Sequence, residues 1–391
     1  MKISNRMDLI PFSGIRKIFE EVTRREGAGE KIIHLEIGRP DFDTPAHIKE
    51  AAKKALDEGK VHYSSNYGIP ELRQAIAEKL KQENDLSFDP AEIIVNCGTT
   101  ESISMTMMAL LSPGDEVLVP DPCWVTYFYA ARMAGAIPIS VPQREENNFN
   151  PRIEDYRSRI TPRTRMIIIN TPNNPTGAVC QVSVLEELAK LAREKDLFVL
   201  SDEIYERIIY DGERHKSIGS FPGMKKRTIT VNGFSKIYSM TGWRIGYAAA
   251  DKELISAMIR IHQYTTSCAT TFAQWGGVTA LRGPQGEAER MVREFDRRRN
   301  LVYEALKEMP GIHVIKPKGA FYIFPNIKNF GKTSEEMAQY LLEEAQIAVV
   351  PGTTLGECSS DFIRISYANS YENLKMAMEK MRAALEKLIH R

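Results

Sequence analysis

The strongest constraint on the fold is an alternation of short β-branched runs with longer amphipathic stretches between about residues 45 and 285. Such an alternation is typical of βα units around a mostly parallel sheet. Between the runs, apolar residues recur every four positions, as at Leu72, Ile76 and Leu80, which indicates helices that cover the sheet. The sequence therefore predicts an α/β domain built on a seven-stranded sheet. The predicted strands are residues 93–95, 117–119, 137–141, 166–169, 197–200, 228–231 and 245–249.

The pattern changes after Gly283-Pro284. A long charged helical stretch covers residues 285–307, and strand-like runs follow at 320–324, 347–350 and 362–366 with helices between them. These features predict a separate, smaller α+β unit, and we expect the segment before Pro45 to pack on it because that segment has no partner of its own. The predicted division is a large domain of residues 45–285 and a small domain of residues 1–44 and 286–391.

Composition excludes several classes of function. The chain has 391 residues, with 52 Lys and Arg against 51 Asp and Glu, so no net charge favours binding to nucleic acid or an anionic membrane. No stretch is long and apolar enough to cross a bilayer and the N-terminus lacks an apolar signal segment, which predicts a cytoplasmic protein. The five cysteines and seven histidines show no close ligand spacing, so we expect no metal site. Small-molecule chemistry is the remaining interpretation.

The most informative segment runs from Thr230 to Tyr247 and contains Lys236 just after a predicted buried strand. A lysine amine is protonated at its usual pKa of about 10.4, but burial or neighbouring cations make it a nucleophile toward carbonyl groups. An isolated lysine of this kind is most often a solvated loop residue. Here it stands in the pattern Ser-Lys-x-x-x-Met-Thr-Gly-Trp-Arg-x-Gly-Tyr, which argues against that interpretation.

Three further segments place polar residues at the ends of predicted strands. Residues 170–177, Asn-Thr-Pro-Asn-Asn-Pro-Thr-Gly, are rich in turn formers. Residues 201–205, Ser-Asp-Glu-Ile-Tyr, follow an apolar run at the edge where open α/β sheets bind ligands, and a helix N-cap is the alternative for Asp202 taken alone. Residues 97–101, Cys-Gly-Thr-Thr-Glu, precede a predicted helix whose first N–H groups can bind an anion.

One arginine, Arg364, interrupts the apolar run of residues 362–368. A buried guanidinium without a carboxylate partner is unfavourable, and its planar fork suits bidentate binding of a substrate carboxylate. An internal salt bridge is the alternative.

From about residue 31 to 370, the order and spacing of these segments closely resemble the class I and II aminotransferases, and in particular the aspartate and aromatic aminotransferases of bacteria and archaea. These are pyridoxal-phosphate (PLP) enzymes of fold type I. The resemblance implies that fold, with a seven-stranded mostly parallel sheet in a large domain and a smaller α+β domain. It also implies a homodimer with shared active sites.

The resemblance carries a set of expected roles. Lys236 would bind PLP covalently and act as the base, with Asp202 paired to the pyridine nitrogen and Tyr205 donating to the phenolic oxygen. These three are the predicted catalytic residues. The predicted cofactor-binding residues are Tyr63 from the partner subunit, Gly98, Thr99, Thr100, Trp124, Asn174, Asp202, Tyr205, Ser235, Lys236 and Arg244. The predicted substrate-binding residues are Gly38, Trp124, Asn174 and Arg364.

The predicted reaction moves an amino group from an L-amino acid of aspartate or aromatic type to a 2-oxo acid, with 2-oxoglutarate as the expected acceptor. Two alternatives remain open at this point. A PLP-dependent C–S lyase or another fold type I enzyme would share the same motifs. A PLP-binding ligand-sensing regulator would need an additional DNA-binding module.

Overall fold

A computed structural model describes residues 3–389 of the chain. The strands of this part are β1 Ile33–His34, β2 Ile93–Asn96, β3 Glu116–Asp121, β4 Ile137–Pro142, β5 Thr164–Asn170, β6 Phe198–Asp202, β7 Thr228–Gly233, β8 Gly246–Ala249, β9 Tyr322–Ile323, β10 Ile347–Ala348, β11 Val350–Pro351 and β12 Ile363–Ser366. The helices are α1 Gly14–Gly27, α2 Ala46–Asp57, α3 Pro70–Glu83, α4 Thr99–Leu110, α5 Thr126–Met133, α6 Ile153–Arg157, α7 Val182–Glu194, α8 Lys252–Thr265, α9 Thr271–Arg282, α10 Gly286–Lys307, α11 Ser334–Ala345 and α12 Tyr371–Ile389. No helix within residues 3–389 is long and apolar enough to span a membrane.

The central sheet has seven strands in the order β2-β8-β7-β6-β5-β3-β4. Strand β8 runs antiparallel to both of its neighbours, and the other adjacent pairs are parallel. Each of the seven runs predicted as a strand forms one strand of this sheet, so the predicted fold class is confirmed. Helices cover both faces: α7 packs on one face, and α4, α5 and α8 pack on the other.

The parallel strands β5, β6 and β7 bring their carboxyl ends to one edge of the sheet. Asn170 at the end of β5 pairs in register with Asp202 at the end of β6, and Asp202 is in register with Val231 of β7. The chain then continues from β7 toward Lys236. Polar segments that are far apart in the sequence therefore meet at this edge, as expected for a ligand site in an open α/β sheet.

The C-terminal part contains a three-stranded antiparallel sheet in the order β11-β12-β9. Strand β1 of the N-terminal segment pairs in parallel with β10, so this segment contacts the C-terminal unit. The prediction of one strand over residues 347–350 is wrong, because β10 pairs with β1 whereas β11 pairs with β12. All four residues are buried, so their apolar pattern gives no sign of a change in strand partner. The domain boundaries remain a prediction, and their outermost residues, 1–2 and 390–391, lie outside the described part.

Candidate active site

A cavity of about 410 Å³ lies at the carboxyl ends of β5 and β6. Strand β12 contributes Arg364 to its wall, so residues of the large sheet and of the C-terminal unit face each other across it. Eleven of the predicted residues line the cavity: Gly38, Thr99, Thr100, Trp124, Asn174, Asp202, Tyr205, Ser235, Lys236, Arg244 and Arg364. Gly98 and Tyr63 are the two predicted residues that do not.

The side chain of Lys236 lines this cavity. Its Nζ atom donates a hydrogen bond to the carbonyl oxygen of Gly38 at 2.5 Å, and no carboxylate within residues 3–389 forms an ion pair with it. Burial lowers the pKa of Lys236 to about 8, and the charge of Arg364 acts in the same direction. With this pKa about a tenth of the amine is unprotonated at pH 7 and about half at pH 8, far more than for a solvated lysine, and the unprotonated form is what a nucleophile or base requires.

Asp202 is fully buried at the end of β6. The hydroxyl of Tyr127 donates to its Oδ2 at 2.7 Å, and the backbone N–H of Ile204 donates to its Oδ1 at 3.2 Å. Burial raises the pKa of Asp202 to about 6. No Lys, Arg or His in the described chain lies within ion-pair distance of this carboxylate, so a cationic group placed in the cavity would meet a buried acceptor.

Two tyrosines of the wall were not predicted from the sequence. Tyr322 of β9 has its hydroxyl 2.8 Å from the hydroxyl of Tyr205, and burial raises the pKa of Tyr205 well above its ordinary value. Tyr127 of α5 holds Asp202, as described above. Aromatic residues in apolar runs usually belong to the core, so the only available signal was the hydroxyl, which needs a partner when buried.

Arg364 is 2% exposed and has no carboxylate partner in the described chain. Its Nη1 donates to Oδ1 of Asn174 at 3.2 Å and its Nη2 donates to the carbonyl oxygen of Glu36 at 2.5 Å, while Nε has no partner. The internal salt bridge considered for this residue is therefore not formed. A buried guanidinium held by neutral acceptors is arranged to receive an anion from the cavity.

Another anion-binding feature lies at the start of α4. Gly98 precedes the helix with φ of 98°, and no side chain caps the helix N-terminus. A Cβ atom at Gly98 would lie 2.5 Å from Nη2 of Arg244, so glycine is needed for the guanidinium to pack there. Thr99, Thr100 and Arg244 then present two hydroxyls, free backbone N–H groups and a positive charge to the cavity. Gly98 thus makes room for the anion-binding groups Thr99, Thr100 and Arg244, although it does not itself line the cavity.

Tyr63 is 90% exposed and lies outside the cavity of its own chain. Its predicted partner is the phosphate in a second copy of the chain, so its role stays a prediction. Trp124 lines the cavity and makes an edge-to-face contact with Tyr127, with ring centroids 5.9 Å apart.

A second buried polar cluster, which we call the closed network, surrounds Glu203. It consists of Lys79, Asn84, Glu203, Glu206, His215, Ser217 and Asn232. Glu203, Glu206 and His215 have the spacing of a metal site, but Lys79 pairs with Glu206 and His215 hydrogen-bonds Glu203 at 2.9 Å. Despite burial, Lys79 lowers the pKa of Glu206 and Glu203 raises the pKa of His215. Each of the two carboxylates therefore already has a basic partner within residues 3–389.

Comparison with known proteins gives one consistent result. The family model described as aminotransferase class I and II matches residues 30–381. The chain is 47% identical to the aromatic-amino-acid aminotransferase 2 of Thermococcus litoralis, with 99% of each chain covered, and 48% identical to the aspartate aminotransferase of Pyrococcus abyssi, with 98% of each covered. Its fold superposes on Thermus thermophilus aspartate aminotransferase with maleate at a TM-score of 0.93 and 42% identity, covering 98% of this chain and 100% of that one.

Proposed function

The chain belongs to the class I and II aminotransferase family and is a transaminase, and we propose that it uses PLP to move the amino group of an acidic or aromatic L-amino acid to a 2-oxo acid. One observation carries the proposal. A single cavity contains an amine of lowered pKa at Lys236, a buried carboxylate at Asp202 and a buried guanidinium at Arg364, and within the described chain neither the carboxylate nor the guanidinium has a counter-ion.

The donor set fits PLP. The anion-binding corner formed by Thr99, Thr100, Ser235 and Arg244 suits its phosphate group. Asp202 suits the protonated pyridine nitrogen, since a cation there removes the cost of burying the carboxylate. The hydroxyl of Tyr205 and the amide of Asn174 supply donors for the phenolic oxygen, Trp124 supplies an aromatic face, and Lys236 supplies the amine.

PLP, when bound, supplies an electron sink for the bonds at the substrate α-carbon. The residues of the chain perform the remaining tasks. Arg364 binds the α-carboxylate, which fixes the direction in which the α-hydrogen points. The amine of Lys236, about half unprotonated at pH 8, is placed to remove the proton from the substrate α-carbon, and the same amine would return that proton to the cofactor carbon bonded to the transferred nitrogen. Asp202 keeps the ring nitrogen protonated throughout.

The selectivity that we propose, for acidic and aromatic donors, rests on the composition of the wall. Apart from Asp202, no carboxylate of the described chain lines the cavity, so a lysine or ornithine side chain would find no partner there. Ile15, Ile37 and Trp124 supply apolar surface for an aromatic side chain. The names of the relatives, which include both aspartate and aromatic aminotransferases, support this pair of substrate classes.

A panel of amino donors tested against 2-oxoglutarate, ranked by kcat/KM, is the decisive experiment. We expect aspartate, glutamate and aromatic amino acids to lead. If lysine or ornithine ranked first, or if 2-oxoglutarate were not accepted, the proposed substrate classes would be wrong. A parallel assay for pyruvate and ammonia without any added oxo acid separates transamination from the C–S lyase alternative, and we expect no catalytic turnover in it.

We further propose a homodimer with shared sites, in which Tyr63 reaches the cofactor phosphate of the other subunit. Mixing two impaired variants tests this sharing. Subunits with Lys236→Ala and subunits with Tyr63→Ala, dissociated and reassociated together, would form hybrids with one site that carries both native residues. Activity well above the sum of the separate variants is expected, whereas simple additivity or an active monomer in sedimentation would contradict the proposal. The cytoplasmic location also stays a prediction.

A further inference from the structure

We infer that Arg39 determines the preference for acidic substrates by binding their second, distal carboxylate. This inference rests on the proposed function and names the residue that selects one of its two substrate classes. Arg39 follows Gly38, whose carbonyl oxygen accepts the hydrogen bond from Lys236, so the side chain of Arg39 leaves the backbone next to the reacting amine.

The charges that line the cavity lead to this assignment. They are Arg39, Asp202, Lys236, Arg244 and Arg364, four cations against one carboxylate. Under the proposed function, the phosphate neutralises Arg244 and the α-carboxylate neutralises Arg364. Lys236 binds the cofactor or acts as the base, so it is not available to pair with a second substrate carboxylate. Arg39 alone is left without an anion, and a dicarboxylic substrate brings one anion more than an ordinary amino acid.

Arg39 has no partner among the residues that the structure describes. Within residues 3–389 its guanidinium takes part in no ion pair and no side-chain hydrogen bond. The nearest acidic residue in the sequence, Asp41, is already paired with Arg298 at 2.7 Å. An arginine in a cavity wall whose neighbouring carboxylate is engaged elsewhere is available for a ligand.

Differences in burial assign the two arginines to different ends of the substrate. Arg364 is fully buried and held by Asn174 and by the backbone of Glu36, which suits the carboxylate at the reacting carbon. Arg39 is exposed and shares the wall with Ile15 and Ile37, which lie at intermediate depth, so it faces the variable part of the substrate. A guanidinium can pair with a carboxylate there and can also swing aside for an aromatic ring.

The exposure of Arg39 also sets the expected size of its effect. A charge-assisted hydrogen bond to an exposed group is worth less than one in a dry site. We therefore expect the loss of Arg39 to weaken dicarboxylate binding by about tenfold to a hundredfold, with tenfold corresponding to about 1.4 kcal/mol.

The test compares the variants Arg39→Gln and Arg39→Lys with the wild type, each as the PLP-loaded enzyme. Two measurements are made: KM and kcat for aspartate and phenylalanine in the donor half-reaction, and inhibition constants for maleate and 3-phenylpropionate. Arg293→Gln is the matched control, because Arg293 is an exposed arginine on α10 that does not line the cavity.

For Arg39→Gln we expect the aspartate KM and the maleate inhibition constant to rise at least about tenfold. We expect kcat for aspartate, both phenylalanine constants and the binding of 3-phenylpropionate to change by less than about threefold, because they do not use the second charge. Arg39→Lys should fall between the wild type and Arg39→Gln. Raising the ionic strength should weaken maleate binding in the wild type and should do so less in Arg39→Gln.

Two other results would overturn the inference. If aspartate and phenylalanine were affected equally, or neither were affected, while the wild type transaminates aspartate well, Arg39 would not be the selective residue and the proposed function would stand. If the wild type accepted no dicarboxylic substrate, the acidic part of the proposed function would fail and the role of Arg39 would fail with it.

Discussion

Asp202 and Glu203 are neighbours in the chain, yet their carboxylates lie in two different polar regions. Asp202 lines the Lys236 cavity, where Tyr127 and one backbone N–H are its only donors within residues 3–389. Glu203 lies in the closed network, where Asn84, His215 and Ser217 all hydrogen-bond to it. Both carboxylates are almost completely buried, so burial does not distinguish them.

The difference lies in how completely each region satisfies its own charges. In the closed network Lys79 pairs with Glu206 and the ring of His215 pairs with Glu203, so each carboxylate has a basic partner within the described chain. In the cavity, neither Asp202 nor Arg364 forms an ion pair with any group of residues 3–389, including each other. A buried charge that lines a cavity and has no counter-ion in the protein indicates a binding site, whereas a buried charge that is paired within the protein indicates a structural role.

The largest expected effect separates the two buried lysines. Lys236→Ala should lower turnover by at least about 10⁴-fold and abolish the visible absorbance of bound cofactor, because it removes both the attachment point and the base. Lys79→Met in the closed network should keep the absorbance band and most of the specific activity of the folded protein. Steady-state kinetics and absorption spectra check both, and retained turnover in Lys236→Ala would contradict the assignment of that lysine.

The next effect separates the adjacent carboxylates by rate. Asp202→Ala should reduce kcat by about 10³-fold, since it removes the group that keeps the ring nitrogen protonated. Glu203→Gln should change kcat by less than about tenfold once unfolded protein is accounted for, because Glu203 does not line the cavity. Near-normal kinetics in Asp202→Ala would show that the carboxylate of Asp202 has no catalytic role.

Neutral substitutions at Asp202 and Glu203 should change the free energy of unfolding in opposite directions. Burial raises the pKa of Asp202 from 3.8 to about 6, so the folded state binds more protons between these pH values and the contribution of Asp202 to stability falls as pH rises through this range. At pH 8 Asp202→Asn should therefore stabilise the cofactor-free protein by about 2 kcal/mol, and by less at pH 5. Glu203→Gln should destabilise the protein by about 3 kcal/mol, because His215 and the other partners of Glu203 in the closed network lose their negatively charged acceptor.

Urea unfolding of the cofactor-free proteins at both pH values measures these differences. Destabilisation by Asp202→Asn at pH 8 would mean that its carboxylate is better compensated than the structure indicates. No loss of stability in Glu203→Gln would contradict the structural role of the closed network.

The smallest effect concerns pH. Because burial and Arg364 lower the pKa of Lys236 from 10.5 to about 8, the rate at which cofactor-free protein captures PLP should rise about tenfold from pH 7 to 9 and then level off. An ordinary lysine would give a rise of about a hundredfold over the same interval without a plateau. Stopped-flow absorbance measures the rate. If the rate continued to rise above pH 10, the pKa of Lys236 would be that of a solvated lysine rather than a lowered one.

Much of the fold could be predicted because secondary structure is a local property of the sequence. The seven β-branched runs each became one strand of the sheet, and the stretch 285–307 became α10. The motif around Lys236 and the polar strand ends also led to the cavity residues, since carboxyl ends of parallel strands must meet. The strand predicted at 347–350 failed because pairing partners are a property of the whole structure.

The sequence by itself determined the alternation of strands and helices, the family resemblance and the polar residues at the strand ends. The tertiary structure alone decided that Tyr127 donates to Asp202, that the hydroxyls of Tyr322 and Tyr205 meet, and that the guanidinium of Arg39 has no partner within residues 3–389. The physical reason is distance along the chain. Periodicity indicates which face of an element is buried, whereas the hydrogen bonds of a buried polar group depend on partners 75 or 117 residues away, which only folding brings within reach.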